Sequence, residues 1–298
     1  MKWQGVIPAI TTPFKPDLSV DADLLVKQVD ALVRAGCAGV VALGSLGEGG
    51  SLSFDEKKAV LRLCREALAG RAPLVAGVAA ITTAEAARLA ALGAEAGCDG
   101  LMVLPPYVYK GDWRETQAHF TAVIAATRLP CMLYNNPIAY GTDVLPEQMV
   151  ELALSLPNLE AVKESSADVR RVTSLRALLG DRLAILVGVD DLVLEAVQAG
   201  ATGWIAGLAD ALPVESVRLF DLAASGRIAE ARVLYDWFLP LLRLDTLPKF
   251  VQLIKVVQQE TGLGSEFVRP PRLALDPAQR DAIVELVRYA LARRPPLA

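Results

Sequence analysis

Histidine is nearly absent from this sequence: among 298 residues there is one, His119. A mechanism built on a histidine triad, or a metal held by a histidine cluster, has nothing to draw on. His119 falls in a helical pattern and is expected to be a surface or packing residue. The four cysteines (Cys37, Cys64, Cys98 and Cys131) lie far apart in apolar surroundings, with no Cys-x-x-Cys. Neither a zinc site nor a disulfide framework is indicated, and a reducing cytoplasm is the expected setting. The net charge of −4 comes without a basic block, which argues against nucleic acid or an anionic membrane as a partner. No apolar run approaches the ~20 residues of a membrane span. Met1 to Gly5 leads straight into an apolar strand without the pattern of a signal peptide. Linkers and low-complexity segments are also missing.

What is present is a chain 53% hydrophobic and 21% charged, enough to bury a large core. Short apolar runs alternate with helical periodicity. Strands are expected at 5–12, 39–43, 73–77, 100–104, 130–134, 159–163, 184–187 and 203–206. Helices are expected at 21–35, 53–68, 82–96 and 112–127, with Pro146 in the first turn of another. Ser53-Phe54-Asp55-Glu56 and Thr82-Thr83-Ala84-Glu85 have the form of capping boxes. Beyond Pro213 the pattern is helical, at 214–225, 227–242, 248–261 and 276–294. A weak repeat recurs: Ala35-Gly36-Cys37-Ala38-Gly39, Ala96-Gly97-Cys98-Asp99-Gly100 and Ala199-Gly200-Ala201-Thr202-Gly203. Each copy is a helix end, a glycine stop and a strand start. Strands apolar along their whole length fit a parallel sheet covered on both faces. We therefore expect an α/β fold, a (β/α)8 TIM barrel over 1–225 with a C-terminal helical extension of the same unit over 226–298. An open doubly wound sheet would carry Gly-x-Gly-x-x-Gly after the first strand, and none is there.

In such a barrel the active site lies at the C-terminal ends of the strands. Four informative segments fall there: Gly44 to Glu48, Tyr134, Lys163, and Ile205-Ala206-Gly207. A lysine ending an apolar strand either snorkels to water or is buried. Burial would lower its pKa and leave a neutral amine able to form an imine with a 2-oxo acid. A phenol such as Tyr134 can carry protons. Consecutive N–H groups in Gly44-Ser45-Leu46-Gly47 can form a nest for a carboxylate. Glu48 reads as an acceptor that orders this loop, and Trp204 and Phe54 as core.

Taken in order, Gly44-Ser45-Leu46-Gly47-Glu48, Tyr134-Asn135-Asn136-Pro137, Val162-Lys163-Glu164-Ser165 and Gly188-Val189-Asp190-Asp191 resemble the dihydrodipicolinate synthase / N-acetylneuraminate lyase family, class I pyruvate-handling barrel enzymes. The resemblance spans nearly the whole chain. It implies Lys163 as the imine-forming lysine and Tyr134 as the proton relay. Ser45 and the N–H groups of Ser45 and Leu46 would hold the carboxylate, and Ile205 would face the pyruvyl group. Ser165 keeps a hydroxyl at its matching place. Gly188, Asp190, Asp191 and Gly207 are candidates for contacting the distal part of the substrate; for the two aspartates the alternative is capping the helix that starts near Leu192.

The departures are as informative. The arginine that holds the second substrate's carboxylate in the lysine-biosynthetic synthase is Ala139 here, a large loss for carboxylate binding. The tyrosine after Pro-Tyr that completes a relay across a subunit interface is Val108, with Tyr109 next to it. The second of two loop hydroxyls is Leu46. These disfavour that synthase. The expected activity is a class I Schiff-base lyase acting on a small 2-oxo acid, with aldol cleavage to pyruvate and an aldehyde leading. Dehydration or deamination of a 2-oxo sugar acid or hydroxypyrroline carboxylate through the same imine is the alternative. A non-catalytic oxo-acid-binding protein is the rival of another class. No cofactor and no metal is called for, the covalent imine on Lys163 standing in their place. A homo-oligomer, tetramer or dimer, is expected.

Overall fold

Eight parallel strands form one sheet in the order β1-β8-β7-β6-β5-β4-β3-β2. They are β1 Gly5–Pro8, β2 Val40–Ala42, β3 Leu74–Val78, β4 Gly100–Val103, β5 Cys131–Asn135, β6 Leu159–Glu164, β7 Ala184–Val187 and β8 Gly203–Ala206. The computed structural model describes residues 1–296; the last two residues of the expected extension lie outside them. The sheet closes where Ala9 bridges Val41 and the Ile10 N–H donates to the Val41 carbonyl at 2.9 Å. The result is a (β/α)8 barrel. The helices are α1 Ala22–Arg34, α2 Phe54–Leu68, α3 Thr83–Glu95, α4 Trp113–Ala125, a single turn α5 Pro137–Tyr140, α6 Pro146–Ser155, α7 Arg170–Leu179, α8 Val193–Gln198, α9 Pro213–Ala224, α10 Ile228–Leu242, α11 Phe250–Thr261 and α12 Pro277–Leu291. Among the described residues, no helix is long and apolar enough to cross a membrane.

The strands bury both faces because side chains alternate across the wall. Val6, Val40, Leu74, Leu101, Leu133, Val162, Ile185 and Trp204 belong to the layer between sheet and helices. Ile7, Val41, Val75, Met102, Met132, Ala161, Leu186 and Ile205 form a second cluster that fills the barrel. Two residues further along, the same inward face carries Tyr134 on β5 and Lys163 on β6. The period of the strand thus aims both toward the mouth.

Local chemistry starts and stops the helices as the sequence suggests. Ser53 and Glu56 form a reciprocal capping box. Thr82 accepts from the Glu85 N–H and caps α3 on one side only. Asp112 and Glu115 make a further reciprocal box at α4. The repeated glycines Gly36, Gly97 and Gly200 take positive φ of 92°, 74° and 109°, a backbone region open to glycine and costly for most other residues.

Two expectations need correction, and two hold. The ladder of the first strand ends at Pro8; Thr11 and Thr12 instead bind neighbouring loops, the Thr11 N–H to Asp210 at 2.8 Å and Thr12 Oγ1 to the Gly47 carbonyl at 2.7 Å. Phe54 is not core: it is 39% exposed, with the Arg88 guanidinium stacked over its ring. His119 is a packing residue, buried, with Nδ1 at 3.0 Å from Thr83 Oγ1. Trp204 is fully buried core.

Candidate active site

A cavity of about 760 Å³ opens at the C-terminal ends of the strands. Lys163 is 6% exposed within it, and its Nζ lies 4.1 Å from the centroid of the Tyr134 ring. Burial lowers the Lys163 pKa from its ordinary 10.5, against the pull of the acidic and phenolic groups of Asp245, Tyr140 and Asp190. Burial acts the other way on the Tyr134 phenol, pushing it up to about 12, while a hydrogen bond from the Asn136 amide, 3.0 Å, works against that rise. Burial thus shifts the amine and the phenol alike toward their uncharged forms, the direction a nucleophile and a proton carrier require.

The segment after Lys163 is fixed in place. Glu164 is buried and accepts from the Ser166 N–H at 2.7 Å and the Asn135 amide at 3.2 Å. The Asn135 side-chain Oδ1 in turn accepts from the Val144 N–H at 2.9 Å. Ser165 lies in the cavity wall, its hydroxyl beside the Tyr134 phenol without a well-formed hydrogen bond. Gly188 is packed so closely over both that a Cβ there would fall 2.2 Å from Ser165 Oγ and 2.3 Å from Lys163 Cε. Its missing side chain is the space the lysine occupies.

On the opposite wall, the loop after β2 begins with Leu43 at a positive φ of 65° and turns again at Glu48, φ 51°. Glu48 is buried and pairs with fully buried Lys255 of α11 at 2.6 Å, as well as accepting from the Arg269 N–H at 3.0 Å. A buried carboxylate persists only when so compensated. Glu48 thus orders the loop, and Ser45 and Leu46 line the cavity in front of it. Ser45 Oγ is hydrogen-bonded to the Tyr140 hydroxyl.

Of the residues singled out in the sequence, the structure brings Lys163, Tyr134, Ser45, Leu46, Ser165, Ile205, Gly188, Asp191 and Gly207 to this one cavity. Asp190 is the exception. It is fully buried and does not line the cavity. Nor does it cap its own helix: one carboxylate oxygen accepts from the Trp204 indole at 2.8 Å and the other from the Leu208 N–H at 2.7 Å, with the Gly207 N–H shared at 3.1 and 3.2 Å. It shapes the turn after β8. Asp191 does face the cavity, near Arg243 at 3.6 Å, and neither aspartate supplies the cap of α8.

A model of the Dihydrodipicolinate synthetase family matches residues 2–290. The chain belongs to that family. The 4-hydroxy-tetrahydrodipicolinate synthase of Rhizobium meliloti (strain 1021) is 35% identical across 97% of this chain and 98% of its own length. The crystal structure of dihydrodipicolinate synthase from Aquifex aeolicus matches with a TM-score of 0.93 at 28% identity, covering 98% of this chain and 99% of that one. The structure of YagE, a prophage protein of the dihydrodipicolinic acid synthase family from E. coli K12 solved in complex with pyruvate, matches with a TM-score of 0.91 at 28% identity, covering 98% and 99%. As a member of this family the protein is a lyase.

Two contributors to the site escaped the sequence reading. Tyr140, at the end of α5, enters from the turn after Pro137. Asp245 comes from the short turn Arg243–Thr246 between α10 and α11. The C-terminal helices, in which the sequence shows nothing beyond assembly, thus close one side of the mouth with Asp245, Leu247 and Phe250. Burial drives the Asp245 carboxyl well above its usual range, and the negative charges of Asp190 and Asp191 add to the rise while the Lys163 cation opposes it.

Proposed function

We propose that this family member is a class I Schiff-base lyase acting on a small 2-oxo acid, with Lys163 as the imine-forming residue. The observation that carries the reading is the buried, pKa-lowered Lys163 set beside Tyr134 on the adjacent strand. An uncharged amine attacks the C2 carbonyl, and the carbinolamine loses water with a proton from the Tyr134 phenol. The protonated imine then draws electrons from the bond at the neighbouring carbon. Ser45 and the N–H groups of Ser45 and Leu46 face the oxo acid's carboxylate, and Ile205 packs against its carbonyl end. Pyruvate is the leading carbonyl product, a reading that the pyruvate complex of the related prophage protein supports. Reversible aldol cleavage to pyruvate and an aldehyde is the leading reaction. No cofactor is needed, because the imine supplies the electron sink.

Ala139 at the cavity rim, where the lysine-biosynthetic synthase places a carboxylate-binding arginine, supports a substrate other than that enzyme's. Expulsion of water or ammonia through the same imine is favoured by one specific feature, the Asp245 carboxyl in the cavity wall, which burial shifts well above its usual range toward the form that can protonate a leaving hydroxyl or amine. A homo-oligomer, tetramer or dimer, belongs to the same proposal and is read by sedimentation.

The test is borohydride trapping with pyruvate, followed by intact mass and peptide mapping. A stable adduct on the Lys163 peptide, absent from Lys163→Ala, is the expected result. An adduct on another lysine overturns the site. Trapping only with a longer oxo acid or a cyclic imine selects dehydration or deamination, and no adduct with any of these favours a binding protein.

A further inference from the structure

Formation of the protonated imine takes up one proton from outside: the amine surrenders one hydrogen to the departing water and keeps the other, so the water's second hydrogen must be delivered. Tyr134 can give that proton only if it is itself resupplied, because its ring is buried at 5% exposure. The route of resupply is visible in Tyr140. This residue ends the one-turn helix α5, whose geometry is set by Pro137 at its start, by Asn136 Oδ1 accepting from the Ala139 N–H at 3.0 Å and by Gly141 at a positive φ of 70°. Its ring meets that of Tyr134 edge to face, centroids 5.7 Å apart, and its hydroxyl is hydrogen-bonded to Ser45 Oγ. Ser45 is half-buried and reaches the open cavity. We infer that Tyr140 is the second phenol of a proton relay running Ser45–Tyr140–Tyr134, contributed by the same chain that contributes Lys163.

Burial raises both phenols; against that larger effect, the Ser45 hydroxyl works to lower Tyr140 and the Tyr140 hydroxyl to lower Tyr134, the sense expected of donors in that order. Balance is straightforward. Tyr134 passes its proton to the departing hydroxyl, Tyr140 re-protonates Tyr134, Ser45 re-protonates Tyr140, and solvent at the mouth refills Ser45. The same chain run backwards drains the proton taken from the imine's neighbouring carbon. The rival donor is Tyr109, next to Val108. In its own chain it is 60% exposed and outside the cavity, with its hydroxyl donating to Glu115 at 3.0 Å.

The inference rests on the imine reading of Lys163, and the test separates the two. Exchange of the pyruvate methyl protons with deuterium oxide, followed by NMR, needs the imine and the relay but no aldehyde partner. Tyr140→Phe is expected to lose about a hundredfold in exchange kcat, with KM for pyruvate within about twofold and a changed alkaline limb of the pH profile. Tyr109→Phe is expected to exchange like the wild type. Ser45→Ala combined with Tyr140→Phe is expected to cost no more than the costlier single change, as members of one chain do; this cycle reads the coupling even if one variant is less stable. Full exchange in Tyr140→Phe, a loss confined to KM, additive losses in the double variant, or a loss that instead follows Tyr109→Phe would each overturn the relay while leaving the imine intact. A wild-type protein with neither adduct nor exchange would take down the imine reading and the relay with it.

Discussion

Tyr134 and Lys163 are register partners across β5 and β6. One adjacent pair of parallel strands therefore sets the distance between phenol and amine, with no loop in the path. Elements of this kind hold a pair of groups more precisely than loops do. The consequence is a sharp division of labour. Lys163→Ala should abolish turnover and trapping. Tyr134→Phe should leave the lysine available yet lower turnover by about two to four orders of magnitude, the usual worth of a placed proton carrier. Steady-state rates and borohydride labelling on both variants check this. Near-normal turnover in Tyr134→Phe would remove the phenol from the chemistry.

Gly188 is expected to be intolerant of any side chain. A Cβ at 2.3 Å from Lys163 Cε and 2.2 Å from Ser165 Oγ has no room, and relief must come by moving the lysine or the β7 end. Gly188→Ala should cost about 1–3 kcal/mol of stability, as overpacking does, and cut the rate of Lys163 labelling by more than about tenfold. Urea unfolding and timed trapping read the two effects separately. Labelling at the wild-type rate would mean that the lysine's position is not what the glycine protects.

Asp245 offers a test of charge. In its ionised form Asp245 raises the Lys163 pKa, opposing the larger effect of burial. Asp245→Asn removes that opposition, so the Lys163 pKa should drop further. The amine is reactive when neutral, and the acid limb of kcat/KM reports the free enzyme's essential groups. That limb should therefore move to lower pH in the variant. A limb that stays in place, or moves to higher pH, would show that Asp245 carries no charge that Lys163 feels.

The barrel and its reactive pair were legible because both follow from local pattern. Apolar runs at strand length, glycine stops and capping residues are written in consecutive residues, and period-two alternation carries Ala161 inward and then Lys163 two residues later. Glu48 was legible as an acceptor but not by partner, since Lys255 lies 207 residues away. Asp190 misled because a strand-end carboxylate near a helix start looks like a cap or a ligand. Its actual donors, Trp204, Gly207 and Leu208, belong to the next strand's turn. Tyr140 and Asp245 were invisible for the same reason: nothing adjacent to either in sequence says that the fold brings it to Ser45 or to Lys163.

The C-terminal segment that closes the mouth is also tied to the barrel by charge, and this tie should be acid-sensitive. Arg269 donates from both terminal nitrogens to Glu56, at 2.6 and 2.9 Å, and that pairing is the main reason the Glu56 carboxyl drops from its ordinary 4.5 to about 2. Between those values the folded protein binds fewer protons than the unfolded chain. The contribution is therefore complete above about pH 4.5 and is lost as pH falls toward 2. Its size should be about 1 kcal/mol, because the Glu56 side chain is 33% exposed and solvent screens the pair. Glu56→Gln should accordingly be less stable than wild type at pH 7, with the gap closing in urea titrations at pH 3. A gap that persists undiminished at pH 3 would place the stabilisation in something other than the carboxylate's charge.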